Sequence, residues 1–209
     1  MATVVVSGIS YLSYLLKRYV FHESGTLVSG IIGGLYSSTA TISVLARKSR
    51  KASEQEATDY VAAMLLAVSM MFLRFMILIL IFSREIFLSI YPYLLTMAVV
   101  AAIVAWFIHS RQKRPEDQPA ETEEDDSSNP LEFKVALIFA VLFVIFTFLT
   151  HYTLVYAGTG GLNLLSFVSG FSDITPFILN LLQNTGSVAA LIITACSMQA
   201  IISLSLIHI

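Results

Sequence analysis

From Tyr60 to Phe82 the chain carries one charged side chain, Arg74, among almost uniformly apolar residues. About 20 such residues in a helix cross the ~30 Å hydrocarbon core of a bilayer, whereas a helix at a protein–water boundary keeps one polar face. The segment from Met64 to Phe82 shows none of the polar–apolar alternation of a membrane β-strand. Seven apolar runs of this kind lie at about 2–20, 27–46, 57–82, 86–109, 131–156, 160–183 and 187–203. In lipid every backbone polar group needs an internal partner, so all seven runs should be helices. The expected fold is all-α: a polytopic integral membrane bundle of about seven transmembrane helices.

Charge supports this. Only 12% of residues are charged, against roughly 25% in soluble domains. The net charge of −2 says little about partners, because Glu116, Asp117, Glu121, Glu123, Glu124, Asp125 and Asp126 crowd into one stretch. Residues 110–130 are acidic, contain proline and have few apolar side chains, the composition of a disordered cytoplasmic linker. They show no ligand spacing of the EF-hand kind. The expected domains are a first membrane repeat at 1–109, this linker, and a second membrane repeat at 131–203. The closing LSLIHI matches the reading of a transposon-end sequencing adaptor, so 204–209 are expected to be read-through rather than native sequence, and His208 is given no role.

Basic residues favour the cytoplasmic ends of spans. Arg47, Lys48, Arg50 and Lys51 follow the second run, and Arg111, Lys113 and Arg114 follow the fourth. Both clusters are expected inside, which puts the N-terminus inside as well. Lys17 and Arg18 then fall outside, against the rule. These charges follow the first apolar run instead of preceding it, so the N-terminus lacks a signal-peptide pattern. The single cysteine, Cys196, permits no intrachain disulfide.

Sliding the sequence on itself gives a match at an offset of 136 residues (161 − 25). Gly25 falls on Gly161, Gly34 on Gly170, Thr39 on Thr175, Ile42 on Ile178 and Leu45 on Leu181. Each copy has a glycine at mid-run followed by a polar cluster. With four spans between equivalent points, the copies are expected to be parallel repeats of four-helix halves, the second incomplete. Spans 2 and 6 would then face each other, the placement that transporters built from repeats use for discontinuous helices.

Asp173 lies near the middle of the sixth run. A carboxylate at the bilayer centre costs at least about 2.5 kcal/mol and calls for a partner, water or a functional reason. Proline removes one helical hydrogen bond, so a helix break is expected around Gly170 and Pro176, with Gly34 at the matching place. The expected ion- or substrate-binding residues are Asp173, Ser172 and Thr175 with Ser37, Ser38 and Thr39. Thr41 extends the hydroxyl patch, and the bland alternative for Asp173 is a buried structural carboxylate. Arg74 is the candidate charge partner of Asp173; its alternative is snorkelling to the interface. Gly30 and Gly34 have the small-xxx-small spacing of close helix packing, which is the alternative for that patch. His22, His109 and His151 show no ligand spacing, so no metal site is expected. Trp106, Tyr91 and Tyr93 read as interfacial anchors. No second membrane aspartate and no HExxH motif is present, so an intramembrane protease, and enzyme activity generally, is not expected.

The segments GGLYSSTATISVLARKSR (33–50), NPLEFKVALIFAVLF (129–143) and SGFSDITPFILNLLQ (169–183) resemble a bacterial membrane domain of unknown function. In that family the domain commonly follows an MgtC/SapB-type membrane domain. The family pattern often has a second aspartate where this chain has Thr175. The resemblance implies a multi-pass protein of the bacterial inner membrane, connected with ion homeostasis, and an MgtC-like portion preceding Met1. The expectation is therefore a transporter or permease-like domain for an ion or small polar solute, with its site near the midplane between spans 2 and 6. The alternative is a non-transporting membrane regulator linked to magnesium homeostasis. Expected partners are the lipid bilayer, a small ion or solute, the MgtC-like domain or a second copy of the chain, and not nucleic acid. No cofactor is expected.

Overall fold

A computed structural model describes residues 25–111, 133–171, 174–183 and 189–208, and these are helical almost throughout, with no strand among them. The elements are α1 (Thr26–Ser49), α2 (Glu54–Phe82), α3 (Arg84–Ser110), α4 (Phe133–Ser169), α5 (Ile174–Gln183) and α6 (Ala190–His208). The N-terminal run 2–20 and most of the acidic linker lie outside the described residues. Among the described residues three helices are long and apolar enough to cross a membrane: Glu56–Phe82, Arg84–Ser110 and Val141–Ser169. Their outward faces suit lipid. Val100, Ile103 and Phe107 on α3 are exposed, and Trp106 is 69% exposed; water would not tolerate so large an apolar face on a monomer.

The chain divides into two compact units, one of Val5–Arg74 with Leu94–Leu131 and the other of Met1–Val4, Phe75–Tyr93 and Glu132–Ile209. In the first, α2 starts at a capping box. The Ser53 hydroxyl accepts from Glu56 N (3.4 Å), while the Glu56 carboxylate accepts from Ser53 N (2.9 Å). The α2 and α3 segments run antiparallel. Ser69 donates to the Ala98 carbonyl at 2.9 Å, and His109 Nδ1 lies 2.9 Å from Asp59 Oδ1. The first bond satisfies a buried hydroxyl, and the second ties the two helices at their charged end.

The expected single crossing at 27–46 is not what forms. α1 contains one residue in extended conformation, Ser37 (φ −155°, ψ 101°). Eight residues of straight helix separate their ends by ~12 Å, yet a Cβ on Gly33 would lie 2.8 Å from Thr41 Cγ2. The chain therefore folds back at Ser37, and 26–36 and 38–49 are the two arms of a helical hairpin. Each arm reaches only ~17 Å, too short to span the hydrocarbon.

In the second unit α4 is interrupted at Gly158 (φ 58°, ψ −149°). That conformation belongs essentially to glycine alone. Here too the chain turns sharply, because a Cβ on Gly161 would lie 2.8 Å from Thr153 Cγ2, eight residues back. The helix resumes, ends at Ser169, and restarts as α5 at Ile174. α5 is buried from Ile174 to Leu182 and packs against both α4 and α6. Phe146 meets Phe177 with ring centroids 5.7 Å apart, and Asn180 Nδ2 donates to the Thr147 hydroxyl at 2.7 Å.

Candidate functional site

Main-chain polar groups leave the helical ladder at Ser37 and again where α4 ends, at Gly170 and Phe171. Around the first, the arm 26–36 lies tight on α2. A Cβ on Gly34 would sit 2.6 Å from Ala67 Cα, and one on Gly30 would collide with the Ala63 carbonyl oxygen. Glycines four apart thus meet alanines four apart, and the contact numbers rise together, so this arm runs parallel to α2. Counting ~1.5 Å per residue from Glu54, Ala67 lies about 20 Å along a helix of about 43 Å. The reversal beyond Gly34 is therefore level with the middle of α2, which is mid-depth for a helix that crosses the bilayer.

Ser37 itself is the N-cap of the returning arm: its hydroxyl accepts from Ala40 N at 3.4 Å. Ser38 is buried, Thr39 exposed and Thr41 half-buried, and the Thr39 carbonyl accepts from the Ser43 hydroxyl. The break falls at Ser37, not at Gly34. Gly34 stays helical because its missing Cβ serves helix–helix approach.

Around the second interruption, Gly170 N donates to the Phe167 carbonyl (3.2 Å) and Phe171 N to the Val168 carbonyl (3.1 Å), closing the arm in a tight turn. Gly170 lies against α6, where a Cβ would meet Ser203 Cβ and come within 3.0 Å of the Ala200 carbonyl oxygen. One turn earlier, Ser166 donates to Gln199 Oε1 (3.1 Å), and the Cys196 thiol donates to Asn163 Oδ1 (3.3 Å). This arm runs parallel to α6. Pro176 does not break a helix. As the third residue of α5 it has a nitrogen that would have no intrahelical acceptor in any case, so the ring is accommodated in the first turn. Thr175 is buried and engaged. Two hydroxyls of this unit, Thr150 on α4 and Ser197 on α6, are buried with no hydrogen-bond partner among the described residues.

Ser172 and Asp173 lie outside the described residues; in sequence Asp173 immediately precedes the first residue of α5. Arg74 is half-buried in α2, with its Nε inside and its side chain engaged. The Asn163, Ser166, Gln199 and Cys196 set escaped sequence reading. These residues are scattered over two apolar runs, and only the register of one arm on α6 brings them together.

A family model described as "Domain of unknown function (DUF4010)" matches residues 4–209. The chain belongs to this family. The DUF4010 domain thus accounts for nearly the whole sequence, the hairpin at 26–49 included. No curated protein and no solved structure matches the chain.

Proposed function

We propose that this DUF4010 chain is a permeation or transport domain of the inner membrane for an ion or a small polar solute. The observation that carries it is the chain reversal at Ser37, near mid-depth. Non-helical backbone at that depth is tolerated only where protein buries it or where it lines a wet cavity. The hydroxyls of Ser37, Ser38 and Thr39 supply neutral ligands there. Ser172, Asp173 and Thr175 are the corresponding residues of the second copy, and Thr150 and Ser197 add buried hydroxyls that have no hydrogen-bond partner among the described residues. Asp173 contributes the charged ligand or proton acceptor. No enzymatic step is assigned.

The regulator reading, with a link to MgtC/SapB-type proteins and magnesium, needed glycine-rich faces free for a partner. Gly30 and Gly34 lie against α2 and Gly170 against α6, so those faces are already occupied and a regulator would have to dock elsewhere.

The test is water access together with flux. With Ser38→Cys, a membrane-impermeant thiol reagent is expected to react from one side of the membrane. Liposomes holding the purified chain are expected to pass an ion or solute at a rate that Asp173→Asn lowers. Protection of Ser38→Cys from both sides, with no flux across a panel of monovalent and divalent ions, overturns the proposal.

A further inference from the structure

We infer that 26–49 and 162–183 are two copies of one re-entrant hairpin, inserted from opposite faces of the membrane. The first opens to the cytoplasm and the second to the outside. The inference rests on the membrane reading and is independent of whether the domain transports.

The equivalence follows from register. At the offset of 136, Gly30 and Gly34 become Ser166 and Gly170, and their contacts Ala63 and Ala67 become Gln199 and Ser203. The structure pairs Gly30 with Ala63 and Gly34 with Ala67, then Ser166 with Gln199 and Gly170 with Ser203. Both members of both contacts therefore move by the same number. The same offset carries Glu54, the first residue of α2, to Ala190, the first residue of α6. It also carries Ser38, where the first returning arm starts, to Ile174, where α5 starts. A weak match in residue identity is thus a close match in helix boundaries and in which residues touch.

Orientation follows from parity. The sequence expectation counted four crossings between equivalent points and so gave parallel copies. A hairpin with arms too short to cross enters and leaves on one face, so it drops out of the count. Three crossings remain between the first hairpin and the second: α2, α3 and the part of α4 before Gly158. An odd number inverts the second copy. Inverted-topology repeats with interrupted helices are one of the ways transport proteins build a path open to either side.

The basic residues agree independently. With Ser49 at the cytoplasmic face, a re-entrant α1 puts residue 25 on that face too. Lys17 and Arg18 then join Arg47 to Lys51, Arg111 to Arg114 and Lys134 inside, where the rule wants them. Arg74 within α2 and Arg84 at the outer turn are the exceptions. Beyond Lys134 the chain has no lysine or arginine at all, so neither end of the second hairpin carries a cytoplasmic mark. The contradiction that a crossing α1 creates at Lys17 and Arg18 disappears.

The experiment is single-cysteine labelling of the full chain, in right-side-out and inverted membrane vesicles, with a charged maleimide. The unaltered chain is the blank, since Cys196 is fully buried. Gly25→Cys and Ala52→Cys are expected to label only in inverted vesicles. Glu85→Cys, Thr159→Cys and Ala189→Cys are expected to label only in right-side-out vesicles. Labelling of Gly25→Cys and Ala52→Cys from opposite faces means α1 crosses, and the inference falls. It falls equally if Thr159→Cys and Ala189→Cys separate, if they label on the face of Ala52→Cys, or if a permeant maleimide shows that any of these cysteines is present but shielded from both faces. A chain that labels as expected but moves no ion loses the transport reading and keeps this one.

Discussion

Gly34 and Gly158 are both glycines for a backbone reason, but the reasons differ. At Gly34 the constraint is a neighbour: α2 backbone lies where a Cβ would go, 2.6 Å from Ala67 Cα. Backbone cannot swing away as a side-chain tip can, so Gly34→Ala forces the arm off α2. Overpacking of this kind costs typically about 1–3 kcal/mol. Thermal denaturation of the purified chain in detergent is expected to show a lowered Tm, with Gly160→Ala, which has open space around it and no positive φ, as the silent control. At Gly158 the space is open but φ is 58°, and a side chain is strained there by about 1–3 kcal/mol. Gly158→Ala should therefore lower the Tm comparably, although it adds no clash. If Gly158→Ala were silent, the turn between the two parts of α4 would have to form without that conformation.

At the scale of elements, α2 and α3 are held by one buried and one half-exposed polar contact, and the two should weigh differently. Ser69→Ala removes the bond to the Ala98 carbonyl inside the membrane, where such bonds average about 0.6 kcal/mol and reach about 1.7. Asp59→Asn weakens a contact whose side chains are 36% and 37% exposed, where ion pairs are worth about 0–1 kcal/mol and are screened by salt. In detergent, Ser69→Ala is expected to give the larger Tm loss, unchanged by salt; a larger loss for Asp59→Asn would place the stabilising contact at the water-facing end. The continuous helices were the legible part of this fold. An uninterrupted apolar run such as Met64–Phe82 admits one conformation in lipid, and α2 and α3 fall close to the expected limits. The hairpins were not legible, because an apolar run that carries glycines and clustered hydroxyls, as 27–46 does, satisfies one crossing helix or two short arms equally well. Only Ser37-Ser38-Thr39 marked the turn, and hydroxyls also occur in straight membrane helices. Pro176 misled for a related reason. The break it was thought to cause lies just before it, and proline is at home in the first turn of the helix that follows.

For the whole molecule, the repeat turns one described turn into an expectation about the other. Ser37 caps the returning arm of the first hairpin, and at the offset of 136 its equivalent is Asp173. A carboxylate directly before Ile174 would accept from the Thr175 N–H, since Pro176, the equivalent of Ala40, has no N–H to give, and would lie at the positive end of the α5 dipole. That environment tolerates the charge that seemed so costly for a residue at mid-run. It also separates two accounts of Asp173 by sign. If the residue caps α5, Asp173→Ser should fold nearly as well, since serine and aspartate cap about equally, while Asp173→Leu should lose roughly 0.5–2 kcal/mol. If instead it were a carboxylate stranded in hydrocarbon, Asp173→Leu would raise stability by removing a charge that costs about 2.5 kcal/mol or more. Denaturation of the three chains side by side reads the sign directly, and a more stable leucine variant breaks the equivalence of Ser37 and Asp173. Flux, measured on the same proteins, then asks a separate question: a cap that only folds the hairpin is replaceable by serine without functional loss, whereas a carboxylate that also binds the permeating species is not.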